Sequence, residues 1–228
     1  MLYGYGPIIL QGALITIELA FLSVIVSILL GLIGASAKLF GNRWIAIITD
    51  IYTTLIRGIP DLVLMLLIFY GLQITLNSLT EYVGMSQINI DPFIAGVLTI
   101  GFIYGAYFTE TFRGAFLVVP KGQIEAGVAY GFSPWQIFRI ILFPQMMRFA
   151  LPGIANNWQV TLKATALVSI IGLADVVKAT QNAGKGTYHF FLFTIVAAVV
   201  YLFFTTLSNL MLLWLERRYE VGHRKAAL

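Results

Sequence analysis

The chain has 228 residues, 59% of them hydrophobic and only 11% charged, with a mean hydropathy of +0.89. Soluble domains carry charge at roughly 25% of positions, so a soluble enzyme or nucleic-acid-binding domain is excluded, and the net charge of +4 needs no nucleic acid to explain it. The chain has no cysteine, which excludes disulfides, thiolate metal sites and cysteine nucleophiles.

Charge-free runs place the lipid, because about 20 apolar residues cross a bilayer as helix and a helix satisfies its own backbone hydrogen bonds. From Met1 to Ala37 the only charge is Glu18, which predicts a first span near 10–35. No basic residue precedes that span and it is too long for a signal peptide, so it is expected to be retained. Residues 36–59 read as a basic loop holding Lys38, Arg43 and Arg57. At its end Arg57-Gly58-Ile59-Pro60-Asp61 weakens helix, either as a plain junction or as a hinge at a gate. The second span is predicted near 60–80 and the third near 92–115. In the third, Gly101, Gly105 and Thr109 form a small-residue stripe suited to helix packing. Glu110 and Arg113, three apart near its end, make either an interfacial ion pair or a gating contact.

A polar, punctuated loop follows at 120–144. Gln123 to Tyr130 suit a short helix with Glu125 near its positive end, and Gly131 suits a left-handed cap. Ser133-Pro134-Trp135-Gln136 has the form of a second helix start. Trp135, Phe138 and Ile141 or Leu142 then share one face of an amphipathic helix expected to end at Pro144. From pattern alone this loop either rests on lipid headgroups or docks on a soluble partner.

The fourth span, near 151–174, carries Lys163. Thr161, Thr165, Ser169 and Gly172 form a small, weakly polar stripe, preceded by Asn156, Asn157 and Gln159. The stripe either packs against a neighbouring helix or lines a solute pathway, and Lys163 either pairs with a substrate carboxylate or snorkels. Asp175, at the outer end, reads as solvated rather than as a solute contact, and Glu18 has no evident partner. Residues 175–189 read as a loop, and a fifth span near 190–215 leads into a basic tail.

Sidedness follows from Lys and Arg. One side holds Lys38, Arg43, Arg57, Arg113, Lys121, Arg139, Arg148, Arg217, Arg218, Arg224 and Lys225, and the other holds Lys178 and Lys185. The positive-inside rule places the N-terminus outside and the C-terminus in the cytoplasm. The fold expected is all-α and integral to the membrane, one domain over 1–228 with five spans and the 120–144 loop in the cytoplasm.

Glu125, Ala126, Gly131, Ile141 and Pro144 stand at the spacing of the cytoplasmic loop motif of ATP-binding-cassette (ABC) importer permeases, which this chain resembles. It departs mildly from the motif at Gly127, usually Ala, and at Phe143, usually Leu. Thr54-Leu55-Ile56-Arg57-Gly58-Ile59-Pro60, Gly105-Ala106-Tyr107-Phe108-Thr109-Glu110, Arg113-Gly114 and Leu162-Lys163-Ala164-Thr165 are similar to the polar amino-acid branch, most of all to permeases of histidine/lysine/arginine/ornithine importers. The resemblance implies two permease subunits, a dimer of cytoplasmic ATPases that binds ATP and Mg, and a periplasmic binding protein. It also implies that the loop helix sits in a groove of the ATPase, with Glu125 offering a charge-assisted hydrogen bond and Gly131 a turn where a side chain would clash. No phosphate-binding Gly-Lys-Ser/Thr loop is present, so no cofactor is expected on this chain. Many relatives carry an acid where this chain has Asn157 or Ala164, which suggests that the main substrate site lies on a homologous partner in a heterodimer, a homodimer being the alternative. Glutamine or glutamate is the neighbouring substrate class. A stand-alone channel or ion-coupled carrier is the competing function. A membrane enzyme is disfavoured, because His189 and His223 are the only histidines and form no ligand or nucleophile-base motif.

Overall fold

A computed structural model describes residues 2–219, apart from the side chains of Glu216 and Tyr219; the predicted tail charges Arg224 and Lys225, with His223, lie outside the described residues. After a 3₁₀ turn, the helices run α1 (Gly6–Phe40), α2 (Arg43–Gly58), α3 (Asp61–Tyr82), α4 (Pro92–Val118), α5 (Lys121–Ala129), α6 (Pro134–Gln136), α7 (Phe143–Ala164), α8 (Val176–Thr187) and α9 (Phe190–Tyr219). A π-helical turn, Ile137–Leu142, joins α6 to α7, and a 3₁₀ segment, Thr165–Ile171, continues α7. Among the described residues, five helical stretches are long and apolar enough to cross a membrane: α1, α3, α4, the rod Pro134–Ile171, and α9.

Three departures from the sequence expectations have local causes. The stretch expected as a basic loop contains α2, started by Asn42, whose side chain accepts from the Ile45 amide, and stopped at Gly58-Ile59-Pro60. The 175–189 loop contains α8, capped by Asp175, which accepts from the Lys178 amide. The helix expected to end at Pro144 does not end there. Pro144 lies in the first turn of α7, where a missing amide is harmless, so the loop helix runs straight into the fourth span as one rod of 38 residues. Regular α-helix in that rod stops at Ala164, and Gly172 at φ +108° ends the 3₁₀ segment.

The centre of the bundle is the α1–α4 pair. Glycines on both helices let the backbones close up. A Cβ on Gly31 or Gly34 would collide with Phe108 or Thr109 of α4, and one on Gly101 would stand 2.5 Å from Val26 of α1. The stripe expected from Gly101, Gly105 and Thr109 is this packing seam. Ile100, Ile103, Tyr104 and Phe108 of α4 are buried in it, and α7 packs on α4 beside it. A second cluster, Ile9, Ala13, Val176, Ala179, Ala183 and Phe193, locks α8 and α9 onto the N-terminal third of α1. By contrast, α3 and α9 leave most of their apolar side chains on the protomer surface.

Candidate functional site

The loop that carried the family resemblance forms a stalk and a foot. After Val118 the chain turns at Pro120 into α5, and Gly131, at φ +77°, reverses it. Ser133 then closes a capping box. Its hydroxyl accepts from the Gln136 amide at 3.3 Å, and the Gln136 side chain accepts from the Ser133 amide at 2.8 Å. Gly127 is the residue of α5 that is buried. A Cβ there would stand 2.7 Å from Cδ1 of Ile141 and 3.2 Å from Ile137, so α5 lies directly against the π turn. The Gln145 amide donates to the Gln123 side chain at 3.2 Å and fixes the other edge. Glu125, Ala126, Val128 and Tyr130 face outward, with Tyr130 84% exposed. Of the five motif residues, Glu125 and Ala126 lie on the exposed face of the foot, Gly131 makes its turn, and Ile141 and Pro144 belong to the stalk. The clash expected at Gly131 is not seen within the protomer. No atom lies within 4 Å of its would-be Cβ, and what demands glycine is the positive φ.

A second site lies where α1, α2 and α4 meet. The ammonium of Lys38, its side chain 8% exposed, donates to Glu110 Oε1 at 2.6 Å and to Thr53 Oγ1 at 2.7 Å, and pairs with Asp50 at 2.6 Å. Arg113 donates through Nε and a terminal nitrogen to Glu110 Oε2 at 3.0 and 2.9 Å. Arg57 sits 5.4 Å from the centre of the Tyr107 ring, and the Tyr104 hydroxyl donates to Asp61 at 2.7 Å. The predicted trio Arg57, Glu110 and Arg113 therefore lines one polar pocket of about 420 Å³, but only Glu110 and Arg113 are paired. Sequence reasoning placed Lys38 only among the basic loop residues and did not single out Asp50. Their signal was there: a lysine closing a run with one charge, and apolar residues at 44, 48, 51 and 55 in helical register.

On α7 and the 3₁₀ segment that continues it, the predicted residues divide between two faces. Asn157, Thr161, Thr165 and Ser169 are buried within the protomer. Asn157 donates to Thr111 at 3.1 Å, and Thr165 shares a hydrogen bond with the Tyr201 hydroxyl at 3.2 Å. Lys163 lies on the exposed face with Asn156, and Ala164 is buried. Glu18 is exposed on α1. Asp175 corrects an expectation: it is fully buried instead of solvated. One oxygen caps α8, the other has no hydrogen-bond partner, and burial pushes its pKa up to about 6. Among the described residues, no three or more His, Cys, Asp or Glu gather as metal ligands.

Residues 27–221 match the family of binding-protein-dependent transport system inner membrane components, and the chain belongs to that family. It is a multi-pass permease subunit of an ABC transporter, not the catalytic subunit. The chain is 65% identical, over all of both sequences, to the histidine/lysine/arginine/ornithine transport system permease protein HisQ of Escherichia coli (strain K12). It is 39% identical to the nopaline transport system permease protein NocQ of Agrobacterium fabrum (strain C58 / ATCC 33970), covering 97% of this chain and 94% of that one. A chain of the crystal structure of an amino acid ABC transporter with histidines superposes with a TM-score of 0.79 at 33% identity, covering 94% of this chain and 95% of that one.

Proposed function

We propose that the chain is one of two homologous permease subunits of an ATP-driven importer for basic amino acids, with histidine, lysine, arginine and ornithine as the substrate set. The observation that carries this reading is the 65% identity to HisQ over the full length of both chains. The N-terminus faces outward and the C-terminus the cytoplasm, as the distribution of Lys and Arg supports. A binding protein delivers the amino acid at the outer face, and a cytoplasmic ATPase dimer binds α5.

The way α5 is mounted supports coupling through this loop. Glu125 offers a charged acceptor, and Val128 and Tyr130 offer apolar contact, on the free side of a helix whose other side is clamped to the π turn. A push on α5 is therefore carried into α7, and through Val119 and Pro120 into α4. The pocket of Arg57, Glu110 and Arg113 lies on the same α4 and serves as the cytoplasmic gate. Lys163, exposed on α7, faces the pathway and meets the substrate carboxylate. Asn157, Thr161, Thr165 and Ser169 hold the helix phase that keeps it there. Asn157 and Ala164 supply no carboxylate for a cationic side chain, so the pair is a heterodimer whose other member provides it. An Ala164→Asp variant with unchanged substrate preference and affinity would count against that division.

Affinity purification from native membranes, followed by ATPase assay, tests the coupling. Activity should co-purify with the wild type and fall about tenfold or more in Glu125→Arg, since a charge-assisted bond contributes about 1.5–3 kcal/mol. A chain that purifies alone, without ATPase activity, would overturn the reading in favour of a channel or carrier. Mass spectrometry of the same sample distinguishes a heterodimer from a homodimer.

A further inference from the structure

Helix α2 lends Arg57 to the gate pocket, but its opposite, apolar surface has no role in the reading above. Its sixteen residues are too few to span a bilayer. Trp44, Ile48, Ile51 and Leu55, at helical spacings of four, three and four, form one stripe that is 74%, 66%, 53% and 56% exposed. The opposite side, Thr53 and Ile56, is buried against the bundle, and Tyr52 donates to the Phe102 carbonyl at 2.6 Å. Asp50 and Arg57 occupy the flank between.

The depth of α2 is fixed by what its polar residues touch. From Pro92 to Thr109 α4 carries no charge, and its first ionised residue is Glu110. From Met1 to Ala37 only Glu18 is charged, and the next charge, Lys38, pairs with Glu110. The two spans thus reach the edge of the hydrocarbon together. Asp50 joins that pair, and Arg57 lies over Tyr107, one turn from Glu110. Helix α2 therefore crosses the bundle at the boundary between hydrocarbon and headgroups, with its apolar stripe turned away from the protein. A strong apolar side, charged residues on the flank and a Trp at one end are the marks of a helix that lies in the membrane surface.

We propose that α2 is an in-plane membrane anchor, whose stripe of Trp44, Ile48, Ile51 and Leu55 contacts phospholipid in the leaflet at the C-terminal end of α1. The occupant is lipid because the stripe sits at bilayer depth and is continuous with the exposed apolar surfaces of the spans on either side of it in the chain, α1 and α3. The anchor supports the start of α3: only Ile59 and Pro60 separate the two helices, so α2 holds that end of α3 at a set depth beside the gate pocket.

The chain has no cysteine, so a single Cys can be labelled within this subunit without background. Nitroxides at Ile48→Cys, Ile51→Cys and Thr54→Cys are compared in the full transporter, in nanodiscs of phosphatidylethanolamine and phosphatidylglycerol. Relaxation by oxygen is expected to exceed relaxation by a water-soluble nickel chelate at 48 and 51, and the ratio to reverse at Thr54, which lines the polar pocket. Immobile labels at 48 and 51 shielded from both reagents would mean that another subunit covers the stripe, and would overturn the proposal. Labels there that favour nickel would mean that the stripe faces water, with the same consequence. The isolated chain in the same nanodiscs gives the lipid signal even if no partner assembles, so this test fails independently of the transport reading.

Discussion

At the scale of single residues, Lys38 is the most consequential side chain whose pairing sequence reasoning passed over. It bridges two carboxylates and a hydroxyl from an almost fully buried position. Lys38→Met leaves Asp50 without its cation and Glu110 with Arg113 alone, and should cost about 1–3 kcal/mol, seen as a lower Tm in detergent. In Lys38→Met/Glu110→Gln the loss should be smaller than the sum of the two single losses, because each single change already breaks the same pair. Asp175 gives a pH test. Its folded-state pKa, raised from 3.8 to about 6, means that the folded chain keeps a proton the unfolded chain has released between those values. The stability this contributes is full below about pH 3.8 and is lost as the pH rises through about 6. Asp175→Asn keeps the cap and removes the titration. The Tm difference between wild type and variant should therefore shift against the wild type as the pH rises from 4 to 7, and a difference that stays flat would contradict the assignment. Neither residue's environment is local in sequence: Lys38 meets Glu110 from 72 positions away, and Asp175 is buried partly by Gly12 and Thr16 of α1.

At the scale of elements, the five spans were legible because the hydrophobic signal needs only composition over a long window. Helices α2 and α8 were not, because each is short, amphipathic and charged, and such stretches between spans read as loops until a partner surface explains their apolar face. The foot loop was legible almost turn by turn, since Gly131 and the Ser133–Gln136 box are local devices. Its end is the exception, because a proline after an apolar face reads as a stop, whereas Pro144 serves as a first-turn residue of α7. The side of α7 that faces outward could not be chosen without the tertiary packing; the small stripe and Lys163 lie on different faces, and burial of the stripe decides which is which. The foot makes a graded prediction. At Gly131 a Cβ meets no neighbour but the backbone is left-handed, so Gly131→Asn should keep most ATPase coupling, whereas Gly131→Val, β-branched at positive φ, should lose it. Gly127→Ala should be mild, because the atom it meets is the flexible end of Ile141. Steady-state ATPase rates of the purified complexes rank these variants, and equal rates for Asn and Val at 131 would contradict the conformational argument.

At the scale of the whole molecule, contiguous helix runs from the foot into the bundle. The foot is clamped to a rod that spans the bilayer, and that rod packs on α4, which lines the pocket of Arg57, Glu110 and Arg113 and shares its other face with α1. On the proposed reading, transport depends on a partner ATPase and on an intact foot. The most direct test is arginine uptake into proteoliposomes that hold the purified complex, with binding protein supplied at the outer face of the importer and ATP at its ATPase face. The account predicts uptake that requires ATP, is competed by histidine, lysine and ornithine but not by glutamine or glutamate, and is abolished by Glu125→Arg. Uptake that proceeds without ATP, or that survives Glu125→Arg undiminished, would contradict it.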